Sequence, residues 1–230
     1  MNKKLIHKTR NRKSIYDYDE NFFEIPNILN CYWAGFIAAD GCVSKNNNRI
    51  TIELDGKDKN HLIQFKNDVK FSGEVRDIKS NPKSFSPNKI HARFGISNRI
   101  WKINLFENFN ITPKKSKTLK PPNLKNEELI KAFIIGYIDG DGSIVYPSKC
   151  KERKTIISIR GTEEVLKWIK NYFDKWATPM NSWANLSGVR WDGKTFIYRI
   201  NRKRAEKVIN ILIDLDVPKL KRKWYDGRDD

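Results

Sequence analysis

Trp33-Ala34-Gly35-Phe36-Ile37-Ala38-Ala39-Asp40-Gly41 returns 101 residues later as Ile134-Ile135-Gly136-Tyr137-Ile138-Asp139-Gly140-Asp141-Gly142. Each copy places a glycine five residues before an aspartate, an aromatic-isoleucine pair between them, and Asp-Gly at the end. Read as helices, both copies have a side almost free of side chains: Ala34, Gly35, Ala38 and Ala39 in the first, Gly136 and Gly140 in the second. Glycine inside a helix costs about 0.5–1 kcal/mol relative to alanine, so it needs a packing reason. Small residues at this spacing let two helix backbones come together. If these two do, Asp40 and Asp141 project from neighbouring helix ends. For a single copy, Asp-Gly closing a helix and opening a turn is the ordinary reading. Two copies with the same upstream pattern point to a shared site.

The duplication extends outward from the motif. Each Asp-Gly is followed by a short apolar run, a polar turn and an alternating strand: Arg49-Ile50-Thr51-Ile52-Glu53-Leu54 in one half, Lys154-Thr155-Ile156-Ile157-Ser158-Ile159-Arg160 in the other. Period-two alternation marks a sheet with one buried and one open face. An amphipathic helix follows in each half, marked by Leu62, Phe65, Val69 and Phe71, then by Val165, Leu166, Ile169 and Phe173. Asp58 and Thr162 are the expected caps. Two more strands come next, joined in the second half by Trp191-Asp192-Gly193-Lys194, a strong hairpin signal. A last helix closes each half, Trp101 to Phe109 and Ala205 to Leu215, and the exits match as Ile111-Thr112-Pro113-Lys114 and Val217-Pro218-Lys219. The expected class is α+β, two pseudo-two-fold related αββαββα lobes. The expected divisions are a basic N-terminal extension (1–28), a first lobe (29–111), an extended Pro- and Lys-rich linker (112–124) and a second lobe (125–230).

The chain of 230 residues holds 45 Lys and Arg against 27 Asp and Glu, a net charge of +18, which favours a polyanionic partner. No apolar run approaches the ~20 residues of a spanning helix, which favours nucleic acid over a membrane as that partner. Cys31, Cys42 and Cys150 match no zinc spacing and read as reduced thiols of an intracellular protein, in cytoplasm, nucleoid or organelle. His7, His61 and His91 are scattered, against a zinc enzyme or a clustered histidine base. The basic stretch Lys3 to Lys13 lacks the sustained apolar face of a transit peptide and reads as an arm that touches phosphate or has no role.

An aspartate at a helix C-terminus is disfavoured by roughly 0.3–1 kcal/mol, and two converging there repel each other. A divalent cation removes both penalties. Hard oxygen ligands without Cys or His select Mg²⁺, or Mn²⁺ in its place.

With Asp40-Gly41 and Asp141-Gly142 closing matched helices, the chain resembles the LAGLIDADG homing endonucleases in their monomeric, two-motif form, from about residue 30 to 225. The resemblance implies two lobes whose sheets form a saddle over double-stranded DNA, with no protein partner. It implies cleavage of both strands across the minor groove, leaving short 3′ overhangs. It makes Asp40 and Asp141 the catalytic, metal-binding acids, with Gly41 and Gly142 beside them at the metal. Mg²⁺ is the implied cofactor, Mn²⁺ substitutes, and Ca²⁺ binds without supporting cleavage. The first acid of the motif is present as Asp139 and replaced by Ala38 in the first copy. Lys57, Arg93 and Arg199 are candidate basic residues around the metals, with Thr162 at the second strand-to-helix junction.

Candidate DNA contacts are Lys45, Arg49, Thr51, Glu53, Arg76, Lys79, Lys83 and Arg93 in the first lobe, and Lys154, Ser158, Arg160, Arg190, Lys194 and Arg199 in the second. Arg and Lys read guanine in the major groove, and Ser and Thr adapt. Any one of these residues meets phosphate more often than a base edge. The expected activity is Mg²⁺-dependent hydrolysis at a site of roughly 20 base pairs. The alternative on the same scaffold is a cleavage-deficient binding protein, an intron RNA maturase or a transcriptional regulator. Glu53-Leu54-Asp55-Gly56-Lys57 is a single weak match to the acid-x-lysine core of restriction-type nucleases.

Overall fold

The structure is a computed structural model describing residues 15–80, 82, 87–146, 154–178, 189–193 and 195–224. Lys83, Lys194, Cys150, His7 and the arm from Lys3 to Lys13 lie outside them.

Two helices carry the repeated motif. α1 spans Ile28–Asp40 and α5 spans Glu127–Asp141. Asn27 and Asn30 form a capping box at the start of α1, and Asn126 accepts from the amides of Glu128 and Leu129 at the start of α5. Both helices are buried along most of their length, Asn30 to Ala39 in α1 and Ala132 to Asp139 in α5. A helix apolar on every side needs neighbours on every side, and here the two are neighbours of each other. The glycines set how close they come. A Cβ at Gly35 would lie 2.0 Å from the Phe133 carbonyl oxygen, one at Gly136 1.9 Å from that of Tyr32, and one at Gly140 2.3 Å from the Ala39 Cβ.

Each helix runs into a four-stranded antiparallel sheet. The first holds β1 (Gly41–Val43), β2 (Arg49–Asp55), β3 (Arg76–Lys79) and β4 (Ile90–Ser97) in the order β1-β2-β4-β3. The second holds β5 (Gly142–Val145), β6 (Ile156–Gly161), β7 (Arg190–Trp191) and β8 (Phe196–Asn201) in the order β5-β6-β8-β7. The registers correspond: Gly41 faces Ile52 as Gly142 faces Ile159, and Ile52 faces Phe94 as Ile159 faces Tyr198. One face of each sheet is covered by α2 (Lys59–Asp68) and α3 (Arg99–Phe109), or by α6 (Glu163–Trp176) and α7 (Arg202–Ile213). This is the α+β, twice-αββαββα arrangement expected from the sequence. One buried cluster joins the halves, and the rings of Phe109 and Phe133 stack across the join at 6.3 Å. Among the described residues no helix is long and apolar enough to cross a membrane.

Three local readings change. Residues 15–27, placed in the basic extension, pack on the first lobe: Phe22 and Phe23 are buried, and the Trp101 indole N–H donates to the Asp19 carbonyl at 2.8 Å. The linker 112–124, read as extended, contains a helical turn, α4 (Lys115–Thr118), whose Lys115 is buried. Asp58, read as the α2 cap, makes no capping bond, because its carboxylate is held by Arg222 at 2.8–3.1 Å from the last helical turn, α8 (Lys221–Trp224).

These turns cross between halves. α4 follows the first half and meets the second, where the Thr162 hydroxyl donates to the Leu119 carbonyl at 2.6 Å. α8 follows the second half and meets the first through Arg222 and Asp58.

Candidate active site

Because α1 and α5 touch backbone to backbone, their C-termini arrive together, and Asp40 and Asp141 are the last residue of each. The amide of Gly41 donates to the Ile37 carbonyl, that of Gly142 to Ile138, so both helices turn directly into their sheets. Both aspartates keep solvent access. Their surroundings are nonetheless packed densely enough that desolvation leads in raising both carboxyls. The Asp141 carboxyl is pushed up to about 6, with the Asp40 charge as the second cause. The helix ends meet there: a Cβ at Gly140 would lie 3.2 Å from the Asp40 amide nitrogen.

Two lysines answer the negative helix ends. Lys115, from α4, donates its ammonium to the Ala39 carbonyl. Lys223, from α8, donates to the carbonyls of Ile138 (3.0 Å), Asp139 (2.5 Å) and Gly142 (2.8 Å). Both are buried, which lowers their pKa, while the charges of Asp40 and Asp141 hold it up in each case. A cation at a helix C-terminus meets the macrodipole favourably. The penalty that the sequence assigned to a missing divalent cation is thus partly relieved by two lysines. Four groups form one cluster, two acids and two bases, one pair contributed by each half.

A cavity of about 240 Å³ opens beside this cluster, lined by Lys115, Asp141, Arg160, Thr162 and Thr195. Arg160 acts electrostatically on Asp141 and pairs with Asp192. Its equivalent in the first sheet by register is Glu53, which Arg93 holds through Nε (3.0 Å) and Nη2 (2.6 Å).

Asp139 lies two residues before the cluster and is 2 % exposed. Its carboxylate accepts from the Tyr32 hydroxyl (2.7 Å), the Leu220 amide (2.9 Å) and the Trp224 indole (2.7 Å). Burial pushes it up to about 6 against these three donors. The Tyr32 hydroxyl lies 2.8 Å from His61 Nε2. Since Tyr32 donates to Asp139, Nε2 carries the proton. Burial holds His61 down to about 4, so the ring is neutral. Asp139 thus ties the first half and α8 to α5. Ala38, its counterpart, has no such partners to hold.

The other expected site residues divide by position. Lys57 is exposed on the 3-10 turn Gly56–Asp58, and its charge acts on Asp55. The cations that act most strongly on both Asp40 and Asp141 are Lys115 and Lys223, joined by Arg222 at Asp40 and Arg160 at Asp141. By register Arg93 matches Ile197 and Arg199 matches Gly95. Gly41 and Gly142, expected beside the metal, are the first residues of β1 and β5, and the Gly142 carbonyl accepts from Lys223 at 2.8 Å.

Of the expected DNA contacts, Arg49, Thr51, Glu53 and Arg93 share the open face of the first sheet, with Arg76 beside Arg93. Lys45 is exposed in the turn before β2. Lys79 lies three residues after Arg76 on the same strand, so alternation turns it to the opposite face. In the second sheet Ser158, Arg160, Arg190 and Arg199 share the open face, and Lys154 is exposed just before β6.

Nothing local in the sequence marks Lys223 or Arg222, and Lys115 sits among the lysines of the 112–124 linker. The only sequence signal for them is the matched Pro-Lys exit of each half.

Among the described residues no group of three or more Cys, His, Asp and Glu could hold a metal ion by itself. The donor set is two carboxylates. That fits Mg²⁺, which commonly takes one or two carboxylates and completes its shell with water and substrate phosphate.

No family model and no curated protein matches the sequence. Solved structures match its fold. The homing endonuclease I-WcaI bound to its DNA recognition sequence is 13% identical, with 96% of each chain covered and a TM-score of 0.56. The N-terminal LAGLIDADG domain of DUF199/WhiA is 16% identical, covering 89% of this chain and 91% of that one, with a TM-score of 0.52. I-SmaMI bound to uncleaved DNA in the presence of calcium ions is 14% identical, covering 85% and 86%, with a TM-score of 0.50. The chain therefore has the LAGLIDADG fold, with both motif helices in a single polypeptide.

Proposed function

We propose that this protein is a site-specific endonuclease that hydrolyses both strands of double-stranded DNA with a divalent cation. The observation that carries the reading is the cluster of Asp40, Asp141, Lys115 and Lys223, set where two basic, open-faced sheets begin. Two structural neighbours, I-WcaI and I-SmaMI, are described as bound to DNA, the latter with calcium.

Asp40 and Asp141 would hold Mg²⁺, which when bound activates water and neutralises charge on a phosphate. Lys115 and Lys223 keep fixed positive charge beside both carboxylates, where a phosphodiester gains negative charge as it is attacked. Lys115 is fixed by a helix carbonyl and Lys223 by several, so neither needs to reorganise for the reaction. Arg160 adds a further cation at the cavity beside Asp141. The open sheet faces supply DNA contacts, phosphate first and base edges second. One helical turn per lobe gives a target of roughly 20 base pairs.

The test is selection of cut sites from a randomised duplex library in Mg²⁺. The expected result is one long, non-palindromic cleaved site, lost with Asp40→Asn or Asp141→Asn while binding persists. Binding without nicking in Mg²⁺ or Mn²⁺ would overturn the enzyme reading and leave a binding protein, a maturase or regulator, on this scaffold.

A further inference from the structure

The matched registers allow the open faces to be compared row by row. With Ile52 equivalent to Ile159, Arg49 is equivalent to Ile156 and Ser97 to Asn201. The outermost row of the first sheet therefore pairs Arg49 with Ser97. The outermost row of the second aligns Val145, Ile156 and Asn201 across three strands, Val145 opposite Ile156 and Ile156 opposite Asn201.

Val145 and Ile156 are half-buried, yet neither belongs to the hydrophobic core or packs on it. Their strand neighbours Ile144 and Ile157 do, on the other face. Asn201 occupies the N-cap position of α7, where asparagine ordinarily binds an amide of the first turn. Its side chain makes no such bond and is exposed, whereas Asn27, Asn98 and Asn126 all cap. Two branched apolar side chains and an amide that caps nothing thus stand in line at the outer edge of a face whose inner rows carry Ser143, Ser158 and Arg199, then Arg160, Ile197 and Arg190. The major groove offers a matching pair of groups: the thymine C5 methyl takes apolar contact, and adenine N6 and N7 take asparagine.

We propose that Val145, Ile156 and Asn201 read an A·T pair in the outer part of the second half-site, and that Arg49 reads guanine at the mirror position of the first. The assignment rests on the DNA reading of the open faces given above. Alternate residues of a strand lie about 6.6 Å apart, about two base-pair steps. The A·T pair therefore lies about four pairs outside the one nearest Arg160, two rows inward.

Binding selection from a randomised duplex library in Ca²⁺ tests this without requiring cleavage. Wild type is expected to favour A·T by about five- to tenfold at one outer position, and G·C by a similar factor at its mirror position. Ile156→Arg should convert only the first preference to G·C, and Arg49→Ile only the second to A·T. An enriched site with no A·T at an outer position, or preferences unmoved by both substitutions, overturns the assignment while DNA recognition stands. A library in which no sequence is enriched overturns both.

Discussion

Replacing Asp141 with asparagine should stabilise the metal-free protein. The folded Asp141 carboxyl is pushed up to about 6, against about 3.9 in an unfolded chain. The folded state holds the proton more tightly, so ionisation costs folding stability progressively from about pH 4 to pH 6, and the full cost remains at neutral pH. About two pKa units correspond to ~3 kcal/mol. Asp141 is solvent-accessible, and screening by water brings the expected effect to about 1 kcal/mol. Asparagine keeps the shape and removes the charge. At this chain length the gain appears as about 2–4 °C in Tm. Thermal unfolding followed by circular dichroism in EDTA is the assay. Asp141→Asn should melt above wild type at pH 7.5, with the difference closing towards pH 4. Ca²⁺ should then raise the wild-type Tm and leave the variant's unchanged, because a ligand stabilises only the state that binds it. A variant that melts at or below wild type at pH 7.5, or a difference independent of pH, refutes the picture of an acid desolvated beside a second negative charge.

Gly136→Ala should destabilise by about 3 kcal/mol or more, read by chemical denaturation, since its methyl would meet the Tyr32 carbonyl; the usual helix gain of about 1 kcal/mol cannot offset a backbone clash. Lys223→Met should lower cleavage in Mg²⁺ by about 100-fold while changing DNA affinity in Ca²⁺ by less than about threefold, because the side chain faces the helix end rather than the open sheet. Asp139→Ala should cost about 3 kcal/mol in a urea melt, as it leaves the Tyr32 hydroxyl, the Leu220 amide and the Trp224 indole buried without their acceptor. Arg222→Ala should cost less than Asp139→Ala and lose its effect in an Asp58→Ala background, a coupling that a double-mutant cycle measures.

The fold was legible because its signals are local and occur twice. Alternation in Arg49 to Leu54 and Lys154 to Arg160 named the sheet faces, and the glycines at 35 and 136 named the helix contact. Asp40 and Asp141 were legible through the same repeat. Lys115 and Lys223 were not, because a lysine near a proline looks solvated until the chain folds back over a helix end. The cap expected at Asp58 failed for a related reason: a partner 164 residues away took the carboxylate. Register, too, lies beyond a single strand's pattern. Only pairing reveals that Arg93 answers to Ile197, and that Lys79 faces away from Arg76.

The crossing of α4 and α8 bears on how such a molecule can be taken apart. A duplicated protein is often imagined as two autonomous modules on a string, ready to be shuffled like cassettes. Here each module lends its neighbour a closing piece: Leu119 receives the Thr162 hydroxyl, and Arg222 reaches Asp58. Chimaeras made by swapping halves between related sequences would therefore inherit mismatched closures unless the turn travelled with the surface that receives it. The useful seam for such recombination runs through these contacts in space and not through the prolines in sequence.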